Sequence, residues 1–215
     1  MTASTANAEA QGNGAFELPL FPLGSVLFPG GLLPLQIFET RYVDMVKRCM
    51  RDGSPFGVVL ILDGHEARRD RGDGPPQIAT IGTQARIVDF TELPNGLLGI
   101  TARGERRFRV LGAEEQSDHL LLGRVTDVPD PPHVLVPADS EALVEILRQL
   151  LEHPAVNQLG IKADFEDARS VAGRLADLLP VDPRFKQGLL EQDDPLVCLA
   201  ELERLVHAMQ EQNGS

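Results

Sequence analysis

The chain has 215 residues, 42% of them hydrophobic and 24% charged, which is typical of a globular protein with a buried core. Its net charge of −12 argues against general binding to nucleic acids or anionic membranes, because those surfaces attract clustered Lys and Arg. The two cysteines, Cys49 and Cys198, are far apart in sequence, which excludes a disulfide framework and favours a reducing compartment.

Residues 1–15 are small and polar and predict a disordered tail. They have neither the basic nor the apolar part of a signal peptide. Pro or Gly interrupts every apolar run before it reaches the length of a membrane span. We therefore expect a cytoplasmic protein.

The segment 16–128 is predicted to be mainly β-structure. Apolar runs at 18–21, 26–28 and 32–37 are separated by Pro and Gly, a pattern that favours short, bent strands in a small twisted barrel. The periodicity of residues 39–50 predicts one helix, which ends at Gly53.

More strands are predicted beyond this helix, at 56–62, 78–90, 97–101, 106–111 and 120–128. A polar loop is expected at 64–76, and Asn95-Gly96 between apolar runs predicts a hairpin turn. Gly104 separates two of the predicted strands.

The composition changes at residues 129–137 (PDPPHVLVP), which we interpret as a linker. Residues 138–211 then show helical periodicity, with helices predicted over 140–153, 164–179, 183–192 and 195–210. The predicted fold class is α+β, with a β-barrel subdomain at 16–128 and an α-helical subdomain at 138–211.

The sequence offers no recognisable catalytic or metal site. Its three lysines, Lys47, Lys162 and Lys186, fit no Walker A loop, and there is no G-x-S-x-G nucleophile motif. His65 begins an HExxH-like run, but Arg69 stands where the second metal ligand would be. We expect no cofactor, no metal and no catalytic residue.

A basic cluster lies in the run TARGERRFRV, which contains Arg103, Arg106, Arg107 and Arg109. On a strand, Arg107 and Arg109 share one face. The cluster could bind a polyanion, but the net charge favours a polar strand face paired with nearby acids.

The run LPLFPLGSVLFPGGLLPLQIFETRYVDMV is similar to the opening of the Lon-protease N-terminal domain. Further matches are IGTQARIVDF, LPNGLLGITARGERRFRVL and LLPVDPRFKQGLLEQDDPLVCLAELERL, so the resemblance extends over residues 16–209. It implies a pseudo-barrel of about six strands related to the PUA barrel, followed by a small helical bundle.

In full Lon proteases this domain precedes an ATPase domain and a Ser-Lys peptidase domain, and it helps to recognise substrates. The resemblance therefore implies a stand-alone, non-catalytic module that binds polypeptides or protein partners. The alternatives are a PUA-like module for a small molecule or RNA, and an uncharacterised hydrolase.

The candidate partner-binding residues combine the loop before the third apolar run with the basic strand. They are Gly31, Leu32, Leu33, Pro34, Arg107 and Arg109. An extended peptide could add to a free strand edge near the first four residues. The competing interpretation is that these four belong to an ordinary core strand.

Overall fold

The computed structural model describes residues 14–64 and 74–213, and within them seven strands and six helices form a mixed fold. The strands are β1 Phe16–Leu23, β2 Leu32–Ile37, β3 Phe56–Asp63, β4 Gln77–Ile78, β5 Ile81–Glu92, β6 Leu98–Glu115 and β7 Leu121–Asp127. The helices are α1 Thr40–Asp52, α2 Glu141–Glu152, α3 Pro154–Asn157, α4 Ala168–Leu178, α5 Pro183–Glu191 and α6 Pro195–Asn213. The order of these elements confirms the prediction of a part made mainly of strands followed by a helical part. Of the predicted tail at 1–15 and the predicted loop at 64–76, residues 1–13 and 65–73, with His65 and Arg69, lie outside the described residues.

Five of the strands close into a ring. Following the hydrogen bonds gives the order β1-β7-β6-β5-β3, and β3 pairs in parallel with β1 to complete the path. The other four pairings around the ring are antiparallel. The strands thus enclose a core, as the short bent runs predict, while kinship with the PUA barrel stays a prediction.

The prolines of β1 lie where the ring tolerates them. Pro19 has a partner residue only on β7 and Pro22 only on β3, since Leu20 alone is paired on both sides. A proline lacks the backbone N–H that a strand with two neighbours needs. Because β7 pairs with the first half of β1 and β3 with the second half, each proline faces only one neighbouring strand. Strand β1 can therefore contain both prolines.

Helix α1 packs on an apolar cluster that it shares with β1, β2, β3, β5 and β6. Its buried residues are Tyr42, Met45, Val46 and Cys49, and the Tyr42 ring stacks on Phe21 with centroids 4.1 Å apart. Gly53 ends the helix with φ of 62°, a left-handed conformation that glycine adopts readily. This helix and its stop are confirmed.

The predicted strand at 26–28 is wrong, because these residues form a buried irregular loop. The Thr83 hydroxyl donates a hydrogen bond to the Leu27 carbonyl oxygen at 2.6 Å. The Phe28 backbone N–H donates to Oδ1 of Asp177 at 3.3 Å. Side chains thus satisfy backbone groups that would otherwise require a sheet.

The predicted break at Gly104 is also wrong, since β6 is one strand of 18 residues. The Gly104 N–H donates to the Gly31 carbonyl oxygen at 3.0 Å, and its carbonyl accepts from the Gly30 N–H at 2.7 Å. Any side chain at Gly104 would collide with the Phe28 carbonyl. The glycine therefore permits close approach of a loop and does not end the strand.

The helices after residue 137 share a core with the barrel. Leu143, Leu175 and Leu202 from the helices pack in one cluster with Phe28 and Leu60 from the strand part. Helix α4 begins at Ala168, four residues later than expected, because Asp167 accepts a hydrogen bond from the N–H of Arg169 and caps it. With a core shared between the two parts, the division into subdomains stays a prediction.

Candidate functional site

Strand β2 is an edge strand. It pairs with residues 98–103 of β6, and no other described strand pairs with it. One side of β2 therefore presents backbone groups without a strand partner, which makes it a template for an added strand. Pro34 lies in the middle of β2, where an edge tolerates it.

Two depressions flank β2, and both are lined by Pro34, Leu35 and Gln36. One has a volume of about 210 Å³ and reaches Phe38 and the start of α1. The other has a volume of about 340 Å³ and extends across β6 to Phe90 on β5.

Phe38 and Phe90 are 62% and 60% exposed, although large apolar side chains usually lie in the core. We call Pro34, Gln36, Phe38 and Phe90, with the two depressions, the β2 surface.

The four candidate residues around β2 divide between core and surface. Gly31 is buried, and Leu32 and Leu33 are half-buried. Leu33 packs against the same apolar cluster as α1, so it is partly a core residue. Pro34 is exposed and lines both depressions. Of these four candidate residues, only Pro34 belongs to the β2 surface.

The two arginines of the candidate site lie elsewhere and differ from each other. Arg109 is exposed, whereas Arg107 is 3% exposed. Nη1 of Arg107 donates to the carbonyl oxygens of Leu190 and Gln192, both at 3.0 Å. Its Nη2 donates to the Pro129 carbonyl at 3.0 Å and to Oδ1 of Asp193 at 2.8 Å. Arg107 thus joins β6 to the linker and to the segment between α5 and α6, and it does not meet β2.

A second buried arginine fixes the loop that leads into β2. Nη2 of Arg174 donates to the Pro29 carbonyl at 2.6 Å and forms an ion pair with Oδ2 of Asp177 at 3.0 Å. A side chain at Gly31 would come within 2.5 Å of that same carboxylate oxygen. Helix α4 and the loop are therefore packed in direct contact.

Burial shifts the ionisation of these groups. Desolvation raises the pKa of Asp177 from 3.8 to about 6, and the Arg174 charge and the Phe28 N–H only partly oppose it. Desolvation also lowers the pKa of Arg174 and of Lys186, whose ammonium donates to the Asp177 carbonyl at 3.1 Å. The contact between α4 and the loop is therefore sensitive to pH.

Sequence reasoning missed Phe38, Phe90 and Asp177. Phe38 directly follows an apolar strand and Phe90 ends one, so both read as core residues. Phe38 and Phe90 are exposed because of where the ends of these strands lie in the folded chain, which the local sequence does not show. Asp177 lies on the apolar α4 pattern with no local signal of a partner 149 residues away.

The described residues contain no cluster of three His, Cys, Asp or Glu side chains suited to a metal. Cys49 and Cys198 are buried free thiols, and desolvation raises the pKa of both, that of Cys198 to about 11. Within residues 14–64 and 74–213, no helix is long and apolar enough to cross a membrane.

The family model for the ATP-dependent protease La (LON) substrate-binding domain matches residues 17–208. The chain therefore belongs to the LON substrate-binding domain family.

Relatives and solved structures agree with this assignment. The chain is 30% identical over 188 residues to Lon protease 2 of Myxococcus xanthus, with 82% of this chain but 22% of that protein covered. It is 26% identical to a LON peptidase N-terminal domain and RING finger protein of Schizosaccharomyces pombe, covering 83% of this chain and 42% of that protein. The chain thus spans about a fifth of the length of the curated Lon proteases it matches.

Among solved structures, the Lon N-terminal domain protein from Xanthomonas campestris superposes with a TM-score of 0.71 at 35% sequence identity. The match covers 88% of this chain and 98% of that one. The architecture of strands followed by helices is therefore that of a Lon N-terminal domain.

Proposed function

We propose that this chain is a non-catalytic module that binds polypeptide segments, as substrates or as protein partners in proteolysis and quality control. Membership in a substrate-binding domain family supports the general function. The observation that carries the proposal is the edge of β2 to which no strand within residues 14–64 and 74–213 pairs, with Phe38 and Phe90 exposed beside it.

An extended peptide would add to β2 through main-chain hydrogen bonds and insert alternate side chains into the depressions. Main-chain pairing is independent of sequence, which suits a module that accepts many polypeptides. Burying an exposed phenylalanine contributes about 1.5–3 kcal/mol, so contact with Phe38 and Phe90 would supply much of the affinity. The preferred segment is extended and carries apolar side chains.

We also propose that the chain hydrolyses neither peptides nor ATP. No lysine lies in a Walker A sequence, and the ammonium of Lys186 is engaged by the Asp177 carbonyl. Incubation of the purified protein with labelled casein and ATP tests this statement. We expect intact casein and no phosphate release, and turnover by preparations free of other proteases would refute it. The two buried free thiols support our placement of the protein in the cytoplasm.

The binding proposal is tested with fluorescently labelled casein, an unstructured polypeptide, and a Phe38→Ser/Phe90→Ser variant. Both side chains are largely exposed, so we expect the fold to be retained. We predict that the variant binds casein at least about tenfold more weakly, as measured by fluorescence anisotropy, because two apolar contacts are lost.

The matched control is Leu135→Ser, which removes an apolar side chain that is 66% exposed and lies outside the β2 surface. We expect wild-type affinity from this variant. A short apolar peptide and its copy with alternate N-methylated residues would then separate strand addition from simple apolar contact. Equal weakening by the control variant, or unchanged binding by the double variant, would refute the proposed location.

A further inference from the structure

The alternation of backbone groups along β2 decides which of them face its free edge. In an antiparallel pair, alternate residues direct their N–H and C=O groups toward the neighbouring strand, and the residues between them direct theirs away. The ladder between β2 and β6 runs from Leu32 to Ile37 without a register shift. Gly31 and Gly104 continue that register, and the Gly104 N–H donates to the Gly31 carbonyl oxygen at 3.0 Å. Odd-numbered residues of β2 therefore face β6, and even-numbered residues face the free edge.

The free edge of β2 lacks one donor at its centre. Leu32 and Gln36 present an N–H group and a carbonyl oxygen to this edge, and no strand in the described part of the chain pairs there. Pro34 lies between them and presents only a carbonyl oxygen, because its ring nitrogen carries no hydrogen. Whichever segment pairs with β2 across residue 34, one of its carbonyl groups finds no donor. The loss of one hydrogen bond weakens association by about fivefold.

The missing donor weakens pairing with a second copy of this chain more than pairing with a foreign segment. Two copies that join their β2 edges in antiparallel fashion do so about a two-fold axis, so every contact occurs twice. Any such register that includes residue 34 places the Pro34 of both copies in the new ladder and loses two hydrogen bonds. A foreign segment, parallel or antiparallel, loses one. The two losses together weaken self-pairing by about 25-fold.

Without this interruption, the β2 surface would suit a second copy of the chain. A free strand edge is a template for another edge strand, and proline is one of the residues that interrupt such pairing. Phe38 is exposed at the end of the edge, so pairing would also remove apolar surface from water. A module whose β2 edges paired with each other would have no β2 edge left for a polypeptide.

We propose that Pro34 is the specificity-determining residue of the β2 edge. It prevents β2 from pairing with the β2 of a second copy and leaves the edge open to a foreign extended polypeptide. The N–H groups of Leu32 and Gln36 donate to that polypeptide, and the carbonyl oxygen of Pro34 accepts from it. The part that concerns the foreign polypeptide rests on the proposed function, whereas the effect on self-pairing does not.

The proposal is tested with Pro34→Val and Pro34→Ala. Both restore the N–H group, and they differ in the size of the side chain, so an effect that they share belongs to the N–H group. Pro34 is exposed, and valine suits a strand, so we expect the fold to be retained, as circular dichroism checks. The matched control is Pro132→Val, which changes an exposed proline of the linker outside the described strands.

Sedimentation equilibrium without any added polypeptide measures self-association. Physiological salt screens the repulsion between two chains that each carry −12. We expect wild type and Pro132→Val to be monomers, and both Pro34 variants to form dimers with an association constant at least about 25-fold higher. At concentrations where the variants are monomeric, they should bind casein about fivefold more tightly than wild type, because one hydrogen bond is gained.

Three results would overturn the proposal. The first is that the Pro34 variants associate no more strongly than wild type. The second is dimerisation by Pro34→Val alone, which would assign the effect to the apolar side chain. The third is a wild-type dimer in which the amides of residues 32–36 exchange slowly. If neither wild type nor variants bind casein, the proposed function fails, and sedimentation still decides whether Pro34 prevents self-pairing.

Discussion

The β2 surface and the junction between barrel and helices use their side chains in opposite ways. At the β2 surface, Phe38 and Phe90 are exposed beside a strand edge that none of the described strands pairs with. At the junction, Arg107 and Arg174 are buried and hydrogen-bonded to backbone carbonyls. Apolar residues lie outside in one region and charged residues lie inside in the other.

This comparison shows that residue type alone does not assign a role. An arginine in a basic run suggests a binding site, but the Arg107 guanidinium donates hydrogen bonds to four acceptors within the chain. A phenylalanine at the end of an apolar strand suggests core, but Phe90 is mostly exposed. What distinguishes a structural residue from one that is free to bind a partner is the number of contacts that it makes within the chain. Only the fold reveals that number.

The largest expected effect comes from removing the buried arginine of the junction. Arg107→Met leaves the carbonyls of Leu190, Gln192 and Pro129 without their donor. We expect the free energy of unfolding to fall by about 3–5 kcal/mol, because three carbonyls lose their donor and a buried acceptor left unsatisfied costs about 1–3 kcal/mol. Urea denaturation followed by circular dichroism measures it.

The matched control for Arg107→Met is Asp193→Asn. The Asp193 side chain is 81% exposed, so its ion pair with Arg107 is screened by water. We expect a loss of about 1 kcal/mol or less. If both variants lose the same stability, the carbonyl contacts are not what makes Arg107 structural, and the contrast between the two regions weakens.

The contact between α4 and the loop before β2 predicts a pH dependence. Desolvation raises the pKa of Asp177 to about 6 in the folded chain from its ordinary value of 3.8, so the folded state binds this proton more tightly. The stabilisation is complete below about pH 4 and is lost as the pH rises through about 6. A shift of about two pKa units corresponds to about 3 kcal/mol.

Asp177→Asn removes this titrating group. We expect the difference in unfolding free energy between wild type and variant to change by about 3 kcal/mol between pH 4 and pH 7, with wild type losing stability as the pH rises. Denaturation curves at several pH values measure it. Parallel profiles for the two proteins would show that Asp177 titrates normally and that the junction does not desolvate it.

A smaller effect is expected where the loop meets α4. Gly31→Ala places a Cβ within 2.5 Å of the Asp177 carboxylate and 3.0 Å of the Phe28 carbonyl. We expect a loss of about 1–3 kcal/mol from overpacking, measured by thermal or urea denaturation. Gly188→Ala on α5 is the control, because outside its own helical turn no atom of the described residues lies within 4 Å of the added Cβ, and the helix gains propensity. Equal stability of the two variants would show that the loop is not tightly packed.

The sequence predicted the helices, strands and turns better than it predicted which side chains are exposed. Hydrophobic periodicity and turn residues located α1, its end at Gly53, the hairpin at Asn95-Gly96 and the change to helices after residue 137. These signals are local, since each depends on neighbours a few residues apart. The wrong strand at 26–28 had the same apolar composition as a strand, but its backbone is satisfied by Thr83 and Asp177, which are distant in sequence.

The candidate site was predicted only in part for the same reason. Pro and Gly around residues 30–34 marked an unusual strand, and that strand lies at the edge of the sheet. The sequence could not show that Leu33 packs inward while Phe38 stays exposed, because the packing depends on where α1 covers the ring. The basic run was noticed, yet the backbone acceptors of Arg107 come from two distant segments, the linker at Pro129 and residues 190–192.

The central claim is that β2 offers its free edge to an extended polypeptide. Amide hydrogen exchange of the chain, with and without saturating casein, measures this directly. We predict that slowed exchange concentrates in residues 32–38, because an added strand engages the backbone N–H groups of β2. Protection confined to α4, α5 and α6, or casein bound without any slowing at β2, would contradict the account.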